Sequence, residues 1–180
     1  MEQPLIDIVK LVSPSIKYKD SYIDMVKEFV KHHEAFVPFT LNEDYKDFAA
    51  LVKRLEAYSK GENIPDGFVA HTSFWLIDSN NRVVGTSNLR LELTESLKQI
   101  GGHIGYGVKP SERRKGYATV ILAKTLSEAK KRGINEALVT VDKTNTASIK
   151  VIKKNSGVFY SEGLVEDVEG ITQRYLIHIQ

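Results

Sequence analysis

Three consecutive basic residues and the small residues behind them are where this sequence could do chemistry. Arg113, Arg114 and Lys115 lead into Gly116, Tyr117 and Ala118, and Ala118, Ile121, Leu122, Thr125, Leu126 and Ala129 then recur at helical spacing. The basic turn is therefore the entry to an amphipathic helix. The first four N–H groups of a helix lack internal partners and the macrodipole adds roughly half a positive charge there, so an anion such as a phosphate is favoured at that end. Gly116 carries no Cβ and Ala118 only a small one, which lets a ligand approach the backbone closely, and the three cations can add charge-assisted bonds from the rim. The plain alternative is a solvated basic turn that only starts a helix.

Other chemistry is bounded by composition. The 180 residues contain no cysteine, which excludes a thiol nucleophile, thiolate metal sites and disulfides. His32 and His33 are adjacent rather than four apart on a helix face, so no metal is expected there or elsewhere. His103 titrates near neutral pH and is the candidate general base. Strand alternation groups it with Gly105 and Gly107, opposite Ile104, Tyr106 and Val108, unless a bulge at the neighbouring glycines reverses the faces. The 25 basic and 23 acidic side chains nearly cancel, so any anion site is local and nucleic acid is not an expected partner. The N-terminal stretch carries Glu2 and Asp7 where a leader would be basic, and no apolar run is long enough to span a bilayer; a cytoplasmic protein without a membrane partner is expected.

One domain over residues 1–180 is expected from length and hydrophobic content. Leu5 to Val12 reads as a first strand, ended by Ser13 and Pro14. A helix from Tyr22 buries Ile23, Val26, Phe29 and Val30, and a second, capped by Asn42, buries Tyr45, Phe48, Leu51, Val52 and Leu55 before stopping at Gly61. Phe68–Ile77 and Arg82–Leu93 form a hairpin around Asp78–Asn81, and a short polar helix at Thr94–Gln99 leads to a Gly-rich strand, Gly101–Val108. The basic turn and its helix follow, ending at Gly133. A strand at Leu138–Val141 and a helix starting at Asn145 come next, then a terminal hairpin of Val158–Leu164 and Ile171–Ile179 around Glu169 and Gly170. The total is about seven strands and four helices of a mixed α/β (α+β) domain, with a strand–helix–strand crossover at its centre.

This order and these motifs resemble the GCN5-related N-acetyltransferase (GNAT) superfamily over nearly the whole chain. Val108, Pro110, Arg113, Gly116 and Ala118 match the superfamily's Val-x-Pro-x-x-Arg-x-x-Gly-x-Gly/Ala segment, and Asn145 with Ser148 matches its Asn-x-x-Ala/Ser element. Gly101 to Tyr106, Gly-Gly-His-Ile-Gly-Tyr, is similar to a bacterial branch of predicted acetyltransferases. The resemblance implies a mostly antiparallel sheet splayed at a central parallel pair, and acetyl-CoA as cosubstrate. It places the diphosphate on the amides of Arg113, Arg114, Lys115, Gly116, Tyr117 and Ala118, with Thr119 beside them. The pantetheine arm then runs along Tyr106, Gly107 and Val108, with Asn145 and Ser148 facing it; an Asn at position 145 is equally a sound helix N-cap.

The implied reaction is direct attack of an amine on the thioester. A backbone N–H near Val108 polarises the carbonyl, a base takes the amine proton and an acid serves the thiolate. Many members carry a tyrosine as that acid seven residues after the motif Asn, where this chain has Ile152; the acid is then another group, a water, or none. The acceptor is a small-molecule or peptide amine: a polyamine, an amino sugar, an antibiotic, a peptide N-terminus or a lysine. A homodimer is compatible with all of this. The missing tyrosine leaves a non-catalytic acyl-CoA sensor as the alternative. A generic phosphate-binding module is disfavoured, because no Gly-x-x-x-x-Gly-Lys-Ser/Thr pattern is present.

Overall fold

The computed structural model describes residues 4–180. Among the described residues, seven strands form two antiparallel sheets. The first has the order β1 (Lys10–Val12), β2 (His71–Ile77), β3 (Val83–Arg90), β4 (Ile104–Val108). The second has the order β5 (Glu136–Asp142), β7 (Val168–His178), β6 (Val158–Val165). On one face of the first sheet lie α2 (Lys19–Lys31) and α3 (Phe48–Ser59), which close a core of Tyr22, Met25, Phe29, Leu51 and Leu55 around the fully buried Trp75. Against the other lies α5 (Tyr117–Lys131), with Leu122 and Leu126 packed on Phe74, Leu89 and Ile104, and Ile152 of α6 (Thr146–Lys154) joins that core.

The two sheets meet where β4 faces β5. The His103 N–H donates to the Leu138 carbonyl oxygen at 2.8 Å, and the Leu138 N–H donates back to His103 Nδ1 at 2.9 Å. The side chain thus stands in for the next backbone acceptor of a ladder. Farther along, the Tyr106 hydroxyl on β4 meets Ser148 Oγ, beyond the end of β5, at 2.7 Å. Both strands therefore run the same way, joined near their starts and parted beyond. Every hydrogen-bonded strand pair is antiparallel, so the expected mixed sheet is split at its parallel pair.

Several sequence expectations are corrected. Only Lys10–Val12 of the first apolar run is a strand, because Leu5–Ile8 winds into a one-turn helix, α1. Val30 is 55% exposed, and Tyr22 and Met25 take the buried face of α2 instead. Asn42 closes a 3₁₀ turn, Phe39–Asn42, and α3 is capped by Asp47, whose Oδ1 accepts the Ala50 N–H at 3.0 Å. The Gly-rich strand begins at Ile104, since Gly101 and Gly102 turn the chain with φ of 105° and 59°. The terminal hairpin turns at Glu166 and Asp167, not at Glu169 and Gly170, which lie within β7. With α1 and the short α4 (Glu95–Gln99), the described residues hold six α-helices rather than four. No helix among them is long and apolar enough to cross a membrane.

Candidate active site

Between the parted strands lies a cleft of about 1070 Å³. Ile104 to Val108 wall one side, Val139 to Asp142 the other, the start of α5 closes one end, and the segment Glu34 to Phe39 lies across β4. Glycine at position 107 makes that crossing possible: a Cβ there would stand 2.0 Å from the Val37 carbonyl oxygen. Main-chain parity adds a second feature. His103 O accepts from Arg90 and the Lys109 N–H donates to Val84 O, so residues 103, 105, 107 and 109 turn their polar groups toward β3. The N–H groups of Ile104, Tyr106 and Val108 then face the gap, an open edge on which an extended amide chain can add.

At the start of α5 the backbone is shaped for an anion. Arg114 and Gly116 take φ of 63° and 89°, both left-handed, and the N–H groups of Arg114 through Ala118 find no acceptor among the described residues. Consecutive free amides in this conformation form a concave anion site, aided by the positive end of the helix. Gly116 is the N-cap and offers no side-chain cap, which leaves those donors free. The three cations divide their work. Arg113 forks onto Glu34 at 2.7 and 2.5 Å and donates to Val108 O at 3.2 Å, tying the end of α2 to β4; its hydrogen bonds hold the Glu34 carboxyl below the usual range. Lys115 turns back to the buried Glu112 at 2.7 Å and is absent from the cleft walls. Of these three, Arg114 alone has no acidic partner among the described residues.

Asn145 caps α6, its Oδ1 accepting the Ser148 N–H at 3.0 Å, and both residues line the cleft, as do Tyr106, Gly107, Val108, Arg113, Arg114, Gly116, Tyr117, Ala118 and Thr119. His103 does not. The one lone pair of its neutral imidazole is taken by the Leu138 N–H, burial lowers its pKa, and its side chain is outside the cleft walls. Ile152 is fully buried in the core. Tyr160 is 65% exposed on β6 and is not among the cleft residues.

Sequence reasoning missed Lys154, Arg90 and the Glu34–Phe39 wall. Lys154 enters the cleft because Asn155 Nδ2 ties α6 to Thr119 O at 3.3 Å. No local pattern announces that contact. Arg90 is only 9% exposed, and burial alone pushes its guanidinium down to about 10.

Tyr106 carries a testable pH dependence. Burial raises its hydroxyl from 10.0 to about 12, against the lowering effect of Ser148. The folded state keeps this proton longer than the unfolded chain, so the stabilisation is complete below a pH of about 10 and is lost as pH climbs toward about 12. Urea midpoints measured at pH values of about 9 and 11 should fall less in Tyr106→Phe than in the wild type; an equal fall would show that this phenol is not shielded.

The family profile described as the Acetyltransferase (GNAT) family matches residues 39–158, and the chain belongs to that family. Solved structures share the fold at low identity. The microcin C7 self-immunity acetyltransferase, solved with acetyl-CoA and AMP, aligns with TM-score 0.69 and 14% identity over 96% of this chain and 93% of its own. A Salmonella typhimurium acetyl transferase that modifies the N-terminal serine of ribosomal protein L7/L12 gives 0.69 and 15% over 98% of both chains. The dodecameric spermidine N-acetyltransferase of Vibrio cholerae gives 0.64 and 14% over 96% of this chain and 94% of its own. No curated protein sequence matches the chain significantly.

Proposed function

We propose that the protein is an acetyl-CoA-dependent N-acetyltransferase acting on a primary amine. The observation that carries this reading is the run of free amides from Arg114 to Ala118 at one end of a cleft whose side wall is an unpaired strand edge. The residues fit the cofactor. The amides and Arg114 suit a diphosphate, the gap-facing edge of β4 suits the amides of pantetheine, and Lys154 adds a cation on α6. When bound, acetyl-CoA would supply a thioester acetyl group: the amine nitrogen bonds to its carbonyl carbon and loses a proton, the carbon–sulfur bond breaks, and the sulfur leaves with the electron pair as a thiolate that takes up a proton to become the thiol.

This chain's own groups orient and polarise. The N–H of Tyr106 or Val108 aims at the carbonyl oxygen, where charge develops. The Tyr106 hydroxyl, on the cleft wall, takes the place of the acid that Ile152 cannot be. We assign His103 to holding β4 against β5 rather than to proton removal, which leaves the amine's own titration to set the low-pH limb. A buried Ile152 favours the second reading, an acyl-CoA sensor without turnover.

Thiol release from acetyl-CoA over a panel of amines separates the two readings. We expect turnover, with kcat/KM still rising through a pH of about 8 to 10 as the acceptor amine loses its own proton, and no fall near 10, because Tyr106 stays protonated there. Tyr106→Phe should lower kcat about tenfold, less than a full general acid contributes, because a thiol of pKa near 8.5 already leaves tolerably. A falling limb near pH 10 would assign the acid to another phenol, and binding without turnover on any amine would favour the sensor.

A further inference from the structure

The face of the first sheet that looks toward α2 and α3 is unexpectedly polar at one end. The register pairs His71 with Arg90, Ser73 with Asn88 and Asn88 with Gly105, and directly opposed residues point to the same face. All four polar side chains are buried, and His71 Nε2, Ser73 Oγ and both amide atoms of Asn88 have no hydrogen-bond partner among the described residues. Arg90 stands at the open end of this row. Its Nη1 donates to Gly102 O at 3.1 Å and its Cζ lies 4.9 Å from the centroid of the Phe39 ring, while Nε and Nη2 have no acceptor among the described residues. Among the described residues no carboxylate pairs with it. The guanidinium lines both the main cleft and a side cavity of about 300 Å³, the two sharing Phe39, Arg90, Ile100 and Gly101.

A buried, unpaired charge is costly unless something compensates it, and the planar fork of an arginine matches a carboxylate in two hydrogen bonds. The position also matters. Arg90 lies beside His103 at the start of β4, whereas the anion site of α5 lies beyond its end, so this is the end of the cleft away from the nucleotide. We propose that Arg90 holds the far end of the acceptor, and that the acceptor is a small amine that also carries a carboxylate. This rests on the acetyltransferase reading above.

The chemistry narrows the class further. One guanidinium between apolar walls such as Phe39, Phe68 and Ile100 neutralises a single negative charge, which suits a carboxylate better than a dianionic phosphate. A polyamine would set cation against cation. The gap-facing N–H of Tyr106 lies three residues along from His103, roughly 10 Å at ~3.4 Å per residue, so amine and carboxylate are several bonds apart. An ω-amino acid meets that spacing and an α-amino acid does not.

The test is thiol release from acetyl-CoA with 6-aminohexanoate and 8-aminooctanoate, each beside its primary amide, and with spermidine as the cationic control. We expect kcat/KM about tenfold or more higher for the acids than for the amides. In Arg90→Gln that ratio should fall to about one while thermal stabilisation by CoA stays unchanged, and Arg90→Lys should retain part of it. Equal rates for acid and amide in the wild type overturn the proposal even if the variant does not fold, as does a preference for spermidine or a ratio that survives Arg90→Gln. No turnover of any member, with CoA still bound, overturns the acceptor assignment and leaves cofactor binding standing; absence of CoA binding contradicts the acetyltransferase reading itself.

Discussion

Gly107→Ala is expected to destabilise the protein by about 2–3 kcal/mol, the upper range for forcing extra volume into a packed site, and to lower Tm by roughly 5–10 °C for a domain of this size. The added methyl would sit 2.0 Å from the Val37 carbonyl oxygen and 3.6 Å from Phe29 Cζ. The first obstacle is backbone, so no rotamer change relieves it. The segment Glu34–Phe39 would have to lift from β4, against the Arg113–Glu34 fork that ties the end of α2 to the same strand. Because that segment is a wall of the cleft, acetyl transfer should fall with stability. Gly105→Ala is the control: its methyl would meet Pro38 alone, at 3.3 Å from Cβ and 3.8 Å from Cα, and a loss below about 1 kcal/mol is expected. Calorimetric melting of both variants decides. A Gly107→Ala protein within about 0.5 kcal/mol of the wild type would show that the wall is not seated on β4 as described.

What was legible in the sequence was local. The α5 helix, its glycine start and its stop at Gly133 follow from spacing within one segment, as does the Asn145 cap. Thr94 caps α4 by the same logic, its Oγ1 accepting the Leu97 N–H at 3.2 Å. Caps fail when two candidates compete: Asn42 only closes a 3₁₀ turn, and the helical stripe begins after Asp47. Long-range placement was not legible. Nothing in the local sequence marks Asn88 and Arg90 as buried, yet all eight residues of β3 are buried between helices on both faces, and Leu91 just beyond is the exposed one. His103 read as the candidate general base on the central strand. Its role is set by Leu138, 35 residues away, and no pattern within the strand carries that information.

The second large effect concerns Gly116. At φ of 89° a valine would be strained by about 1–2 kcal/mol or somewhat more, and its Cβ would stand 3.1 Å from Leu5 Cδ2, so Gly116→Val should fold with a modestly lower Tm. Relief of that strain would rotate the turn and disperse the free amides from Arg114 to Ala118. The expected result is a folded protein that no longer responds to CoA. Normal CoA binding in Gly116→Val would mean that the turn only starts a helix.

The claim beneath all of this is that the cleft holds CoA, and thermal melting of the wild-type protein against CoA tests it most directly. A ligand bound only by the folded state adds about 2.7 kcal/mol at a hundredfold excess over its dissociation constant, which corresponds to a rise in Tm of roughly 5–10 °C for a domain of this size. The account predicts a rise of that order that grows with CoA concentration in the wild type and is absent in Gly116→Val. A wild-type Tm that does not move at millimolar CoA would contradict it.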